Sequence, residues 1–257
     1  MINLVPMAGS GERFSKEGYG DPKPLIDVSG KPMILQAANS LPVADKWIFI
    51  CREEQVKEYD IDKILRKRFP ESEVISINYL TDGQASTCLL AESYLSDQES
   101  LLIGACDNGM IWDTGKYDSI VASEEVDACI WTFRNNVTVK RNPRMYGWVV
   151  VDKDENATKV SCKIPISSNP VRDHAIIGTF YFRRSINFFN AVRKMIARNR
   201  RINNEFYIDE AMNELIEEGL KVKVFEVNKY ICWGTPNDLR TYRYWEQYFR
   251  KTLQNEK

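Results

Sequence analysis

The sequence is poor in the side chains that most enzymes use for nucleophilic or metal chemistry. It holds one histidine, His174, in 257 residues. A zinc site built on several imidazoles is therefore excluded, and no Ser-His-Asp set is apparent. The six cysteines are Cys51, Cys88, Cys106, Cys129, Cys162 and Cys232, and no two are spaced as C-x-x-C. Most lie in apolar runs, where a reduced thiol acts as a small hydrophobe. That points to a cytoplasmic setting rather than a disulfide scaffold. No stretch approaches the ~18 apolar residues of a membrane span. Residues 1–5 have no basic start followed by a long apolar run, so no signal peptide is expected. The formal net charge is −1. Without a general basic field no nucleic-acid partner is expected, and any phosphate site has to be built locally.

What is present is ordinary globular composition, with 44% hydrophobic and 28% charged residues, and a core is expected. Residues 2–7, 47–51, 74–80 and 101–106 read as strands. Residues 33–40 and 84–95 read as helices between them. Alternation of this kind predicts a mostly parallel α/β sheet, with ligands at the carboxyl ends of its strands. The middle reads differently: residues 128–133, 147–151 and 176–182 are strand-like with no good helix between them, and 152–156 is a polar turn. This predicts an antiparallel or mixed extension of the sheet. A helix opens at Ser185, with Ile186, Phe189, Val192 and Ile196 on one face. A second begins near Phe206 and stops near Gly219, and residues 221–227 give one more strand. Thr235-Pro-Asn-Asp238 starts a last helix, with threonine as cap, proline at the first position and an acid in the first turn. Its stripe of Leu239, Tyr242, Glu246, Phe249 and Leu253 reads as packing against the body. No repeat or linker divides the chain, so one domain over 1–257 is the expectation.

Gly9-Ser-Gly11 follows the first strand, where small residues let backbone N–H groups approach phosphate oxygens. A Rossmann fingerprint would need glycine or alanine where Phe14 stands, and a P-loop would need G-K-[ST] after Gly11. Arg13 can hold a polyphosphate through its fork of donors. Lys23, stiffened between Pro22 and Pro24, can neutralise charge building at a phosphorus centre.

These residues carry a resemblance. Gly9-Ser-Gly-Glu-Arg-Phe14, Lys23-Pro-Leu25 and Gly30-Lys-Pro-Met33 resemble the opening signature of the nucleotidyltransferases that activate sugar phosphates. The likeness continues more weakly through Gly83-Gln-Ala-Ser-Thr87, Cys106-Asp-Asn108, Tyr146-Gly147, Lys163, Gly178, 204–209 and 230–236. It implies a single Rossmann-like nucleotidyltransferase fold, with a nucleotide-binding half over about 1–110 and an acceptor half over about 111–257. It implies transfer of a nucleoside monophosphate from a nucleoside triphosphate to a phosphorylated sugar or other small acceptor, with release of pyrophosphate, for cell-surface polysaccharide precursors. Homo-oligomerisation stays open. By the same resemblance Arg13 and Lys23 are the catalytic candidates. Ala8, Gly9, Ser10, Gly11, Arg13, Gly83, Gln84 and Ser86 would bind the nucleotide, and Gly147, Lys163 and Gly178 the acceptor. Asp107 would ligate Mg²⁺, a hard ion suited to carboxylate and phosphate oxygens.

Each has a plainer alternative. Asp107 could cap a turn, Asp82 or Ser86 could cap a helix, and Lys163 could be a surface lysine. Arg172, Asp173 and His174 could line the acceptor pocket or a solvated loop. Two positions depart from the family pattern: Cys162 stands where a glutamate is usual, and Cys232 where an aspartate often binds a second metal. A thiol is a poor Mg²⁺ ligand. The departures keep two other readings in play, a glycosyltransferase using a nucleotide sugar and a nucleotide-binding regulator without turnover. The one D-x-D, Asp152-Lys-Asp154, falls in the predicted hairpin tip.

Overall fold

In the computed structural model, which describes residues 1–255, a nine-stranded sheet runs through the whole chain. Its strands are β1 (Ile2–Pro6), β4 (Lys46–Arg52), β5 (Glu73–Ile77), β6 (Leu101–Ile103), β8 (Ala128–Phe133), β9 (Gly147–Val151), β10 (Ala157–Cys162), β11 (His174–Phe182) and β12 (Val222–Glu226). Two short ribbons stand outside it: β2 (Asp27–Val28) with β3 (Lys31–Pro32), and β7 (Asn108–Ile111) with β13 (Lys229–Cys232). The helices are α1 (Glu12–Ser15), α2 (Met33–Asn39), α3 (Glu53–Tyr59), α4 (Ile61–Arg68), α5 (Gln84–Leu89), α6 (Thr114–Ala122), α7 (Ser185–Ala197), α8 (Ile208–Glu217) and α9 (Pro236–Asn255).

The expected plan holds. The strands β5, β4, β1 and β6 lie side by side in parallel. The strand β11 then runs antiparallel to β6, β8 and β9, with β10 antiparallel to β9. A parallel note returns at the other margin, where β12 pairs β8. The central strands are apolar on both faces because helices cover both. Successive side chains alternate between the faces. Leu4, Ile48, Ile50, Ile103 and Phe180 face α5, α7 and α8. Val5, Phe49, Leu102, Trp131 and Tyr181 face α2, α4 and α6. A third cluster joins the ends of the chain: Phe14, Ile26, Val28, Met33 and Ala37 pack with Trp233 and Leu239.

Some elements exceed the expectation. The helices α3 and α4 fill the stretch between β4 and β5, and within them only Gln55, Ile61 and Leu65 are buried. The strand β10 follows the polar turn, with Ala157, Val160 and Cys162 buried. The last helix starts as expected: Asp238 N–H donates to Thr235 Oγ1 at 3.2 Å, and the Thr235 hydroxyl donates to Asp238 Oδ2 at 2.6 Å. Its stripe does not pack as expected. Leu239 is buried and Glu246 reaches Ser29, but Phe249 and Leu253 are exposed.

Candidate active site

The carboxyl ends of β1 and β6 open into a cleft of about 620 Å³. The turn after β1 supplies Ala8, Gly9, Ser10, Gly11 and Arg13 to its wall. Gly9 faces open space, and Gly11 sits in the left-handed region at φ +66° with its backbone against Lys23. A side chain at Gly11 would be strained, so the sharp turn after β1 depends on this glycine. Phe14, which breaks the Rossmann pattern, is a buried plug meeting Tyr19 edge-on, ring centroids 5.1 Å apart. Arg13 stays exposed at the rim.

Across the floor, Lys23 Nζ donates to Asp107 Oδ2 at 2.5 Å. Lys23 comes from a turn of 3-10 helix and Asp107 from the segment leaving β6. Their side chains are 22% and 27% exposed. Burial disfavours the charge on Lys23, but the carboxylate of Asp107 outweighs it and the ammonium pKa is raised. Burial likewise pushes the Asp107 carboxyl up, and Lys23 with Arg13 more than offsets this, leaving it below the usual range. Both groups therefore stay charged at neutral pH. The turn-cap alternative for Asp107 is not what the side chain does.

The second wall is α5. Gly83 and Gln84 line the cleft, but Ser86 does not; Thr81 and Thr87 take that place, their hydroxyls 2.6 Å apart. The helical periodicity turns Ser86 away once Gln84 and Thr87 face the cleft. Neither capping alternative is realised, since α5 has no side-chain cap and Asp82 pairs with Arg201 at 3.1 Å. Gly83 is needed less for the cleft than for its back. A Cβ there would lie 2.6 Å from Phe206 N and 2.7 Å from Phe206 O. Glu205, which the sequence reading did not single out, completes this wall.

The acceptor candidates lie outside this cleft, on neighbouring strands. Gly147 opens β9, and its missing side chain leaves room for the carboxylate of Asp209, whose Cγ would be 2.9 Å from a Cβ. Burial holds the Asp209 carboxyl above its ordinary pKa, with Lys163 pulling the other way. Lys163 Nζ donates to the Met145 carbonyl at 2.6 Å and lies over the Tyr207 ring at 5.0 Å, so it is not a free surface lysine. Gly178, at φ +84°, forms the irregularity in β11 between Ile176 and Phe180 and rests against Ala105. Replacing Gly147 with alanine is expected to cost about 2 kcal/mol or more by overpacking. A thermal melt checks this, with Tm falling by roughly 4–8 °C.

Arg172, Asp173 and His174 lie apart from this cleft, while the D-x-D falls in the tip of the β9–β10 hairpin, where the sequence placed it. His174 is buried and its Nδ1 lies 2.9 Å from Thr132 Oγ1, within the sheet rather than in the cleft. Arg172 donates to Asn135 and Asp173 accepts from Ser167, in loops away from the cleft. The Asp152 carboxylate of the D-x-D is consumed by its own turn, accepting from Asp154 N, Asn156 N and Asn156 Nδ2.

The metal position is similarly constrained. Gly234 brings Cys232 and Asp107 together: a Cβ on it would meet Asp107 Oδ2 at 3.0 Å and Cys232 Sγ at 3.6 Å. The Cys232 thiol pKa is pushed up to about 12 by burial and by the carboxylates of Asp107 and Asp238. It is therefore a neutral thiol, donating toward Asp238 Oδ2 at 3.5 Å. Among the described residues no three His, Cys, Asp or Glu side chains converge as a metal cage. One carboxylate beside room for phosphate oxygens and water still suits Mg²⁺, which is commonly held in that way.

A glycine-rich turn, a rim arginine and a lysine–aspartate pair at the carboxyl ends of parallel strands make this an α/β protein of the ligand-in-crevice class. The chain belongs to the nucleotidyl transferase family, which matches residues 3–246. It is 25% identical over 247 residues to the bifunctional protein GlmU of Methanocaldococcus jannaschii, with 93% of this chain and 52% of that protein covered. To GlmU of Staphylococcus saprophyticus it is 23% identical, covering 98% and 53%. The chain thus spans about half the length of these relatives. The fold is shared with the nucleoside-diphosphate-sugar pyrophosphorylase from Vibrio cholerae RC9, at TM-score 0.75 and 22% identity, covering 94% and 99%. It is shared also with the inositol-1-phosphate CTP transferase from T. maritima, at TM-score 0.72 and 16% identity, covering 94% and 93%. Among the described residues no helix is long and apolar enough to cross a membrane.

Proposed function

We propose that this chain transfers a nucleoside monophosphate from a nucleoside triphosphate to a phosphorylated small acceptor, a sugar or polyol phosphate. An acceptor phosphate oxygen forms the new bond to the α-phosphorus, and the bond from that phosphorus to pyrophosphate breaks. The observation that carries the reading is the meeting of the glycine turn, Arg13 and the Lys23–Asp107 pair in one cleft. Such transfers are catalysed by positioning and charge neutralisation, which this donor set supplies without a nucleophile.

The Gly9–Gly11 amides and Arg13 hold the outer phosphates. Lys23 serves the α-phosphate and the incoming acceptor. Gln84 and Thr81 offer polar contacts to the base. Asp107 would hold Mg²⁺ together with phosphate oxygens and water; bound, the ion supplies further neutralisation of the triphosphate. On the acceptor side, Gly147 admits the Asp209 carboxylate to its place beside β9, and Asp209 and Lys163 offer polar atoms to hydroxyls and phosphate. Cys162, buried beside Asp209, removes the carboxylate that commonly holds a hexose. The acceptor is accordingly drawn from phosphorylated sugars or alcohols that feed cytoplasmic synthesis of cell-surface polysaccharide precursors.

Two measurements in sequence test this. A thermal-shift panel of the ribonucleoside triphosphates and dTTP with Mg²⁺ is expected to single out one base, because a ligand stabilises according to its occupancy of the folded state. Pyrophosphate release is then measured with that triphosphate across phosphorylated sugars, polyols and amino alcohols. One productive acceptor is the expected result. Binding without release across the panel would sink the transferase reading and select a regulator.

A further inference from the structure

Glu205 is held on a fixed mount between the two halves of the site. Asn203 and Asn204 both take left-handed φ, 51° and 64°, and so close a two-residue turn of the kind that suits a right-twisted ribbon. Ile202 and Glu205 on either side of it exchange both backbone hydrogen bonds at 3.0 Å. The next residue, Phe206, is bonded to Asp82 and Ala85. From this mount the Glu205 side chain bridges the halves. Its Cβ lies on the nucleotide wall, 3.1 Å from where a Cβ on Gly83 would be. Its carboxylate lies on the acceptor side: burial, and then the Glu205 charge beside it, hold the Tyr207 phenol above its ordinary pKa. The Cys162 thiol, raised by burial and by Asp209, feels the same charge. Arg201, four residues earlier, pairs with Asp82 instead. The Glu205 carboxylate, exposed in the cleft it lines, therefore keeps lone pairs to offer.

The site is electrically polar. Arg13 and Lys23 are cationic at the turn after β1. Glu205 and Asp209 are acidic on the Tyr207 side. Asp209 is 8% exposed, and among the described residues no other side chain hydrogen-bonds its carboxylate. An occupant that suits both ends is an anion at its head and a hydrogen-bond donor at its tail, since an ionised carboxylate can only accept. That donor is a hydroxyl rather than an ammonium, because Lys163 already fills the cation position over the Tyr207 ring at 5.0 Å. We infer that Glu205 is the residue that reads the acceptor, its carboxylate accepting from hydroxyls of a sugar or polyol phosphate at the end remote from the phosphate. This rests on the transfer reaction proposed above, and goes beyond it in assigning the residue and the hydroxyl-bearing class.

The test is steady-state pyrophosphate release by the full chain, with the triphosphate and acceptor that the panels select. Glu205→Ala is expected to lower kcat/KM for the acceptor by roughly 10–100-fold, the scale of one hydrogen bond to a charged group. The loss falls mainly on the acceptor KM, and the thermal shift with the triphosphate stays at the wild-type value. Glu205→Gln, which keeps one accepting oxygen, is expected to fall between the two. Deoxy analogues of the acceptor then separate contact from fold. One of them is expected to cost the wild type the same factor and Glu205→Ala nothing further, the non-additivity of two groups that touch. An unchanged acceptor KM in Glu205→Ala, or additive losses with every deoxy analogue, overturns the assignment and leaves the transfer reaction standing. So does a reduced triphosphate shift in the variant, which moves Glu205 to the nucleotide. An amino-alcohol phosphate as the productive acceptor overturns the hydroxyl-bearing class. Absence of pyrophosphate release by the wild type with every acceptor defeats the transfer reading itself, and this inference with it.

Discussion

Replacing Lys23 with methionine is expected to lower turnover by roughly 10²–10³-fold, the scale of losing one charge-stabilising donor at a reacting centre. Methionine keeps much of the aliphatic stem, whose Cβ lies against Gly11, so the glycine turn retains its support. What disappears is the ammonium. Burial then dominates at Asp107, whose carboxyl is kept below its ordinary pKa by Lys23 and Arg13. The variant's Asp107 titrates at higher pH than the wild type's. Single-turnover kinetics with the preferred triphosphate, beside a thermal shift with the same nucleotide, separates chemistry from binding. A variant that still binds nucleotide but barely turns over supports the assigned role. Wild-type turnover in Lys23→Met would remove Lys23 from the reaction and leave the glycine turn as a binding element alone.

Replacing Gly83 with alanine is expected to destabilise the fold by roughly 3–5 kcal/mol, from backbone strain and overpacking together. The residue sits at φ +118° and ψ 177°, a region almost exclusive to glycine. Its added Cβ would also press on the Phe206 backbone. Phe206 is clamped there, its N–H donating to the Asp82 carbonyl at 2.7 Å and its carbonyl accepting from Ala85 N–H at 3.0 Å. Those two bonds fasten the nucleotide wall to the start of α8, and through it to Asp209. A drop in Tm of roughly 10 °C is expected, read by calorimetry. A melt within a degree or two of wild type would show that this clamp carries little of the stability.

The N-terminal half of the site was legible in the sequence because its chemistry is local. Gly9, Gly11, Arg13 and Lys23 fall within one short stretch, and Asp107 follows an apolar strand that announces itself. The parallel core was legible for the same reason, since doubly covered strands read as apolar runs. Other features depend on partners far away in the chain. Gly83 lines the cleft, as a nucleotide-binding candidate should, but nothing in the sequence signals its close approach to Phe206. Thr87 rather than Ser86 faces the cleft, a difference of one helical position. The strand β10 was hidden because three of its six residues point to solvent or the margin. The helices α3 and α4 were hidden because a highly charged sequence buries only a narrow stripe. The stripe on α9 was legible as a stripe, but periodicity cannot say whether anything covers it.

The placement of β11 has a consequence in time. Residues 174–182 form the seam that joins β6 to β8 and β9, yet they are made long after β6 itself. The plug behind the glycine turn comes later still, because Leu239 and Trp233 close on Phe14 and Met33. At about 5–20 residues per second on the ribosome, the delay between Asp107 and Leu239 is on the order of ten seconds. Through that interval the emerging chain carries a complete set of phosphate-facing residues on an unfinished scaffold. Competence at the turn after β1 thus waits for Trp233 and Leu239, which are made long after the turn's own residues.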